Sequence, residues 1–315
     1  MTKAADVTSQ IWEMANRLRG NMDASEYRNY ILGFMFYRYL SERQEKYLFE
    51  NQILEGINSI EEVNEEYAKE ANGDELPDYL DDIAGSLGYA IEPKYTWKTI
   101  VDKVNSSTIK PDTFQNMFDS FNNNLRLNSR ATQDFTGVFN DMNLNNSRLG
   151  TTTATRAKSL TDIVGIIDQV SYKDESGKDI LADIYEFLIA MFAGNSGKKA
   201  GEFYTPHQVS EVLAKLATIS LDQSDPKPSV YDFACGSGSL LLTVQEEINN
   251  KVLYFGQELN TTTYNLARMN LMMHGVPYDR MTLNNADTLE EDWPSKTYAQ
   301  GIEHPLNFDV VVANP

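Results

Sequence analysis

The sequence predicts an α/β protein, with a helical N-terminal domain over residues 1–150 and a parallel, doubly wound sheet domain over residues 151–315. Three observations predict it. Up to about residue 140, apolar residues recur at helical spacing. Beyond residue 150, short apolar runs alternate with helical stretches, the pattern of a parallel sheet with helices on both faces. The first of those runs opens into a glycine-rich turn, Asp232-Phe-Ala-Cys-Gly-Ser-Gly-Ser239.

In the N-terminal half, Asp23-Ala-Ser-Glu26 has the form of a capping box. Behind it, Tyr27, Tyr30, Ile31, Phe34, Met35 and Leu40 share one helical face, with Arg28, Arg38 and Arg43 interspersed. Such a stripe either packs in a core or stacks on bases, and core packing is the commoner use. A second helix is predicted near Pro111–Leu125, with Phe114, Met117, Phe118 and Phe121 at the same spacing. The polar stretch Asn143-Leu-Asn-Asn-Ser-Arg-Leu-Gly-Thr-Thr-Thr153 reads as the domain junction.

In the C-terminal half, helical periodicity covers Leu160–Val170 and Ile180–Phe192, and a further helix is predicted after Pro206. Asp225-Pro-Lys-Pro228 then punctuates the chain. Strands are predicted at Val230–Ala234, Val252–Gly256, near Met281 and at Phe308–Val312, with helices at Leu240–Ile248 and Tyr264–Met273 between them. The result is a Rossmann-like sheet of four strands, incomplete at Pro315.

Bulk properties narrow the function. At 315 residues, 41% hydrophobic and 23% charged, the chain can bury a real core. No stretch of Met1–Met14 suits a signal peptide, and the apolar runs Ile31–Leu40 and Ile184–Ala193 are interrupted by Arg38 and Glu186. No membrane partner is therefore expected. The lone Cys235 fits a reducing, cytoplasmic setting, and three scattered histidines give no metal-ligand spacing. The net charge of −19, from 46 acidic and 27 basic residues, opposes binding to nucleic acid by this chain alone. Between Glu61 and Asp82, ten acidic residues face the single base Lys69. That run is either a solvated face or a contact for a basic partner.

Chemistry concentrates at the glycine turn. Gly236 and Gly238 at a strand exit let the backbone turn sharply and approach a ligand beside a helix N-terminus. A dinucleotide site would place a third glycine where Leu241 stands, so a ligand without a pyrophosphate is expected. Gly197-Lys198 lacks the remainder of a P-loop. A purely structural tight turn remains an alternative. Glu258, 22 positions after Gly236, closes the next strand, where a carboxylate can accept from both ribose hydroxyls. Asp287 follows the third strand, where it could accept from an adenine amino group. Asp232 adds a third acceptor.

The order Gly201-Glu-Phe-Tyr-Thr-Pro206, then Asp232-Phe-Ala-Cys-Gly-Ser-Gly238, then Asn314-Pro315 resembles the gamma arrangement of amino-group DNA methyltransferases. Most closely, it resembles the modification subunit of type I restriction–modification systems. In that family the helical domain carries a motif like Ile31-Leu-Gly-Phe-Met-Phe-Tyr-Arg-Tyr-Leu40, so the resemblance covers nearly the whole chain. It implies methyl transfer from S-adenosyl-L-methionine to N6 of adenine in DNA, with the target base flipped out. It also implies that Glu202, Phe203, Tyr204 and Thr205 contact the cofactor's methionine end, with Pro206 at N1 of a helix and His207 in its first turn. For His207, an ordinary helix-surface position is an equal expectation. Gly236, Ser237, Gly238 and Ser239 would supply backbone contacts, Glu258 the ribose contact, and Cys235 only small size.

Asn314 Oδ1 and the Pro315 carbonyl would each accept one N6 hydrogen, drawing that nitrogen toward tetrahedral geometry as the methyl arrives. The family's motif continues with a second proline and an aromatic residue that stacks on the flipped base. This sequence ends before them, so the resemblance implies part of a longer protein, inactive as it stands. The implied partners are DNA, a specificity subunit holding two copies of this chain, and a restriction subunit. Two other readings stay open: a glutamine methyltransferase acting on protein, which shares an Asn-Pro-Pro-Tyr motif, and a non-catalytic scaffold binding DNA or a partner.

Overall fold

A computed structural model describes residues 7, 9–13, 24–173, 176–195, 205–290, 293–297 and 303–315. Packing divides the chain into two compact units, Met1–Ile184 and Tyr185–Pro315.

The first unit is helical. Its axis is α1 (Ala24–Glu50), followed by α2 (Val63–Glu70), α3 (Leu76–Leu87), α4 (Trp97–Asn105), α5 (Thr113–Asn124), α6 (Thr132–Phe135) and α7 (Thr153–Asp168). Residues 30–37 of α1 are buried on every side, as expected of a helix that other helices surround. The stripe from Tyr27 to Leu40 is therefore core, which removes base stacking as its use. Phe34 meets Phe114 edge-on at 5.5 Å, and Phe118, Phe121 and Phe139 close around Tyr37. The first residue of the Asp23–Glu26 capping box lies outside the described residues.

The acidic run is ordered into helix. In α2 and α3, Val63, Tyr67, Leu80, Ile83 and Leu87 turn inward, while Glu65, Asp78 and Asp81 face water, as does Glu61 in the 3-10 turn before α2. Lys69 pairs with Glu65 at 2.9 Å and Glu66 at 3.1 Å. The acidic residues form an exposed face over a buried apolar stripe. After the turns at 143–152, Thr152 caps α7 by accepting from the Thr155 amide. Helix α7, which the sequence reading placed in the second domain, packs on α1 and α4, so the first unit extends to Ile184.

Helix α8 (Leu181–Asn195) carries the chain into the second unit, which contains α9 (His207–Thr218), β1 (Ser229–Asp232), α10 (Ser239–Glu246), β2 (Leu253–Gln257), α11 (Thr261–Met273), β3 (Met281–Asn284) and β6 (Val310–Val312). A short antiparallel hairpin, β4 (Ser295–Thr297) with β5 (Glu303–Pro305), was not expected from the sequence. The main sheet has the order β3-β2-β1-β6 and is parallel throughout. Asp232 aligns with Gly256 on one side and Val312 on the other, so the strands' carboxyl ends share one edge. The chain steps from β1 to β2 to β3 and then crosses back to β6. The order thus reverses between β1 and β6, and such a switch point leaves a crevice at the carboxyl edge. No described helix is long and apolar enough to cross a membrane.

Candidate active site

The glycine turn leaves β1 at the switch point. Gly236 has φ +54° and Gly238 φ +77°, both in the left-handed region, and Gly238 is the N-cap of α10. A Cβ on Gly238 would lie 2.4 Å from Leu271 Cδ1 on α11, so that side chain would have to shift, and the left-handed φ strains any residue with a side chain there. The turn is pinned along its length. The Cys235 amide donates to the Gln257 carbonyl (2.9 Å), Gly238 to the Cys235 carbonyl (2.8 Å), and Gly236 to Glu258 Oε2 (3.1 Å). Ser237 and Ser239, both buried, share a hydroxyl contact at 3.0 Å. Cys235 is buried beside Gly256, and burial pushes its thiol up, away from the reactive thiolate form.

The acidic residues take different environments. Asp232 is only 1% exposed, and its Oδ1 accepts from the Ala234 amide at 3.0 Å. Burial pushes its pKa up to about 7, with the neighbouring Glu258 adding to the rise. Glu258 is half-buried; besides Gly236, it accepts from the Asn260 amide at 2.8 Å, the residue that caps α11. β2–β3 pairing continues past the strand ends through Glu258 N to Asn284 O (3.0 Å) and Ala286 N to Glu258 O (3.2 Å). Next in sequence, Asp287 accepts from the Leu289 amide at 2.9 Å, and Thr288 donates its hydroxyl to the Phe233 carbonyl. That last bond ties the Asp287 loop to the start of the glycine turn.

At the end of β6, Asn314 Nδ2 reaches Thr205 Oγ1 at 3.3 Å, and both Asn314 and Pro315 are exposed. Pro206 has ψ 135°, an extended value, so it is the N-cap of α9 and not its first helical residue; the helix begins at His207. His207 is exposed and lies 3.5 Å from Glu211, a surface pair one turn along the helix. Glu202, Phe203 and Tyr204 lie outside the described residues. The structure thus gathers Asp232, Gly236, Ser237, Gly238, Ser239, Glu258 and Asp287 around one turn, and joins Thr205 to Asn314.

A family model described as N-6 DNA Methylase matches residues 176–315, and one described as HsdM N-terminal domain matches residues 7–167. The chain is 36% identical, over 98% of its length, to the type I restriction enzyme MpnII methylase subunit of Mycoplasma pneumoniae. The chain belongs to the family of type I methylase subunits. It is also 24% identical over 98% of its length to the MjaIX methylase subunit of Methanocaldococcus jannaschii. It covers 57% and 50% of those two relatives, and so spans about half their length. Among solved structures, a type I restriction-modification methyltransferase subunit from Streptococcus thermophilus matches the whole chain with a TM-score of 0.83 and 33% identity, over 64% of that chain. A modification subunit of a putative type I restriction enzyme from Vibrio vulnificus shares the fold, with a TM-score of 0.50 over 93% of this chain and 19% identity.

Sequence reasoning about this methylase-subunit chain missed the residues that brace the turn. Gln257, fully buried, accepts from the Tyr231 hydroxyl, and Thr288 holds Phe233. Asn270, in the last turn of α11, donates to the Ser237 carbonyl at 3.0 Å. A short polar residue in a largely apolar helical run, Asn270 in Leu266-Ala-Arg-Met-Asn-Leu-Met-Met273, was the available signal for the last of these.

Proposed function

We propose that this chain is the modification subunit of a type I restriction–modification system and transfers a methyl group from S-adenosyl-L-methionine to N6 of adenine in DNA. The observation that carries this reading is the convergence of the pinned glycine turn, the Glu258 carboxylate and Asn314 on one carboxyl edge, at the switch point between β1 and β6.

The residues present suit that cofactor. A carboxylate has about four lone-pair sites, and backbone amides take one on each Glu258 oxygen. The others suit two ribose hydroxyls. Leu241, where a dinucleotide site needs glycine, suits a ligand without a pyrophosphate. Gly236–Ser239 would lie along the methionine and ribose, and Asp287 beside the adenine. When bound, the sulfonium supplies an electrophilic methyl group.

The chain's own part is alignment and polarisation. An adenine amino group is a poor nucleophile because its lone pair is delocalised into the ring. Asn314 Oδ1 and the Pro315 carbonyl accept its two hydrogens and favour the tetrahedral nitrogen that attacks in line. The Nδ2 bond to Thr205 leaves Oδ1 as the acceptor. Neither a covalent intermediate nor a side-chain base is needed. Reaching this site requires the adenine to leave the duplex. DNA, a specificity subunit joined to two copies of the modification subunit, and a restriction subunit complete the assembly in this reading.

The test is transfer of radiolabel from S-adenosylmethionine to unmethylated DNA by the full-length subunit, with and without a specificity subunit. Label should enter adenine, and Asn314→Ala should lower kcat by roughly 10²-fold or more, the scale of losing one aligned transition-state hydrogen bond. Label appearing on protein glutamine instead would overturn the assignment.

A further inference from the structure

Asn270 is fully buried on the face of α11 that backs the glycine turn, together with Ala267 and Leu271, the side chains nearest Gly238. Its amide group faces the Ser237 carbonyl, which accepts only, so the group placed there must be the Nδ2 donor. Its Oδ1 is also buried and has no hydrogen-bond partner among the described residues. An apolar residue of the same size would avoid that unsatisfied oxygen. The donated bond is what the asparagine adds.

We propose that Asn270 is a positioning residue of the cofactor site: by holding the Ser237 carbonyl it sets the peptide between Ser237 and Gly238, and with it the surface the turn presents to S-adenosylmethionine. This rests on the reading of the turn as the cofactor site. The neighbouring bonds act on other atoms. Glu258 holds the Gly236 amide, and the Cys235 carbonyl holds the Gly238 amide at one end of the Ser237–Gly238 peptide, so Asn270 fixes that same planar peptide at its other end. Asn270 reaches it from a helix that carries none of the other site residues.

Asn270→Leu in the full-length subunit keeps the volume and removes the donor. It should raise the Kd for S-adenosylmethionine about five- to tenfold, as expected for one lost hydrogen bond. Saturating cofactor should restore kcat on DNA, and the melting temperature should stay near wild type, a split that a merely structural role would not produce. Hydrogen–deuterium exchange should quicken in the turn peptide around Ser237 and not elsewhere. If Asn270→Leu does not fold, Asn270→Ala carries the test, since it also removes the donor and asks the site to hold no branched apolar group. Wild-type cofactor affinity in a folded variant overturns the proposal, as does unchanged exchange at the turn. Failure of the wild-type subunit to bind S-adenosylmethionine would overturn the reading of the site instead, and exchange at the turn would then decide on the tether alone.

Discussion

Asp232 shows how far a residue's role depends on its burial. From the sequence it is one of three acceptors around a turn; in the fold it is sealed from water, and its carboxyl titrates at about 7, above the ordinary value of 3.8. Between those two values the folded state holds a proton that the unfolded state has lost. The stability this group contributes is therefore fully present below about pH 4 and is lost as pH rises through 7. Asp232→Asn should remove that dependence: compared with wild type, its melting temperature should be relatively higher at pH 8 than at pH 5. An equal difference at both pH values would refute the linkage. At Gly238, the left-handed backbone and the 2.4 Å distance from an added Cβ to Leu271 Cδ1 mean that a larger residue disturbs the fold as well as the ligand site. Gly238→Ala should cost about 2 kcal/mol or more in chemical denaturation, and Leu271→Ala should recover part of it in a double-mutant cycle. Glu258→Ala should weaken S-adenosylmethionine binding by about 1.5–3 kcal/mol in calorimetry, the scale of hydrogen bonds to a charged group.

Among the elements, α1 and α5 were legible because their aromatic residues repeat at helical spacing and face one another in the core. Phe121 touches Tyr37, Tyr89, Phe135 and Phe139, so Phe121→Ala should destabilise the helical unit by about 3–5 kcal/mol, read as a shift in its denaturant midpoint. Helices α2, α3 and α4 were not legible. In α2 and α3 the acidic residues of the solvent face outnumber and obscure a thin apolar stripe, and that stripe gains stability only against its neighbours. Strands β1, β2, β3 and β6 were all anticipated: β1, β2 and β6 carry the short apolar runs of strands in a parallel sheet, and β3, Met-Thr-Leu-Asn, alternates buried and exposed residues. The β4–β5 hairpin has no such run: Ser295-Lys-Thr297 and Glu303-His-Pro305 are short and polar.

For the whole molecule, a net charge of −19 meets a proposed substrate that is itself a polyanion. Specific affinity for DNA normally rests on several phosphate contacts from basic side chains. The isolated full-length subunit should therefore bind its target duplex no more tightly than about 10⁻⁶ M at physiological salt, the upper end of non-specific affinity. Adding the specificity subunit should tighten binding and steepen its salt dependence. Tight, sequence-specific binding by the isolated subunit in a titration would show that no partner is required.

The sequence by itself determined the α/β class, the strands of the parallel sheet, the glycine turn and the acidic residues at the strand ends. All of these are local patterns, set by periodicity and by the left-handed backbone that only glycine adopts readily. Only the tertiary structure decided where α7 belongs, that Asp232 is buried and titrates near 7, that Glu258 holds Gly236, and that Asn270 and Thr288 brace the turn. These are contacts between residues 22 to 129 positions apart, or consequences of burial. They exist only once the strands are in register, because no local stretch of sequence specifies which helix face will close over a turn.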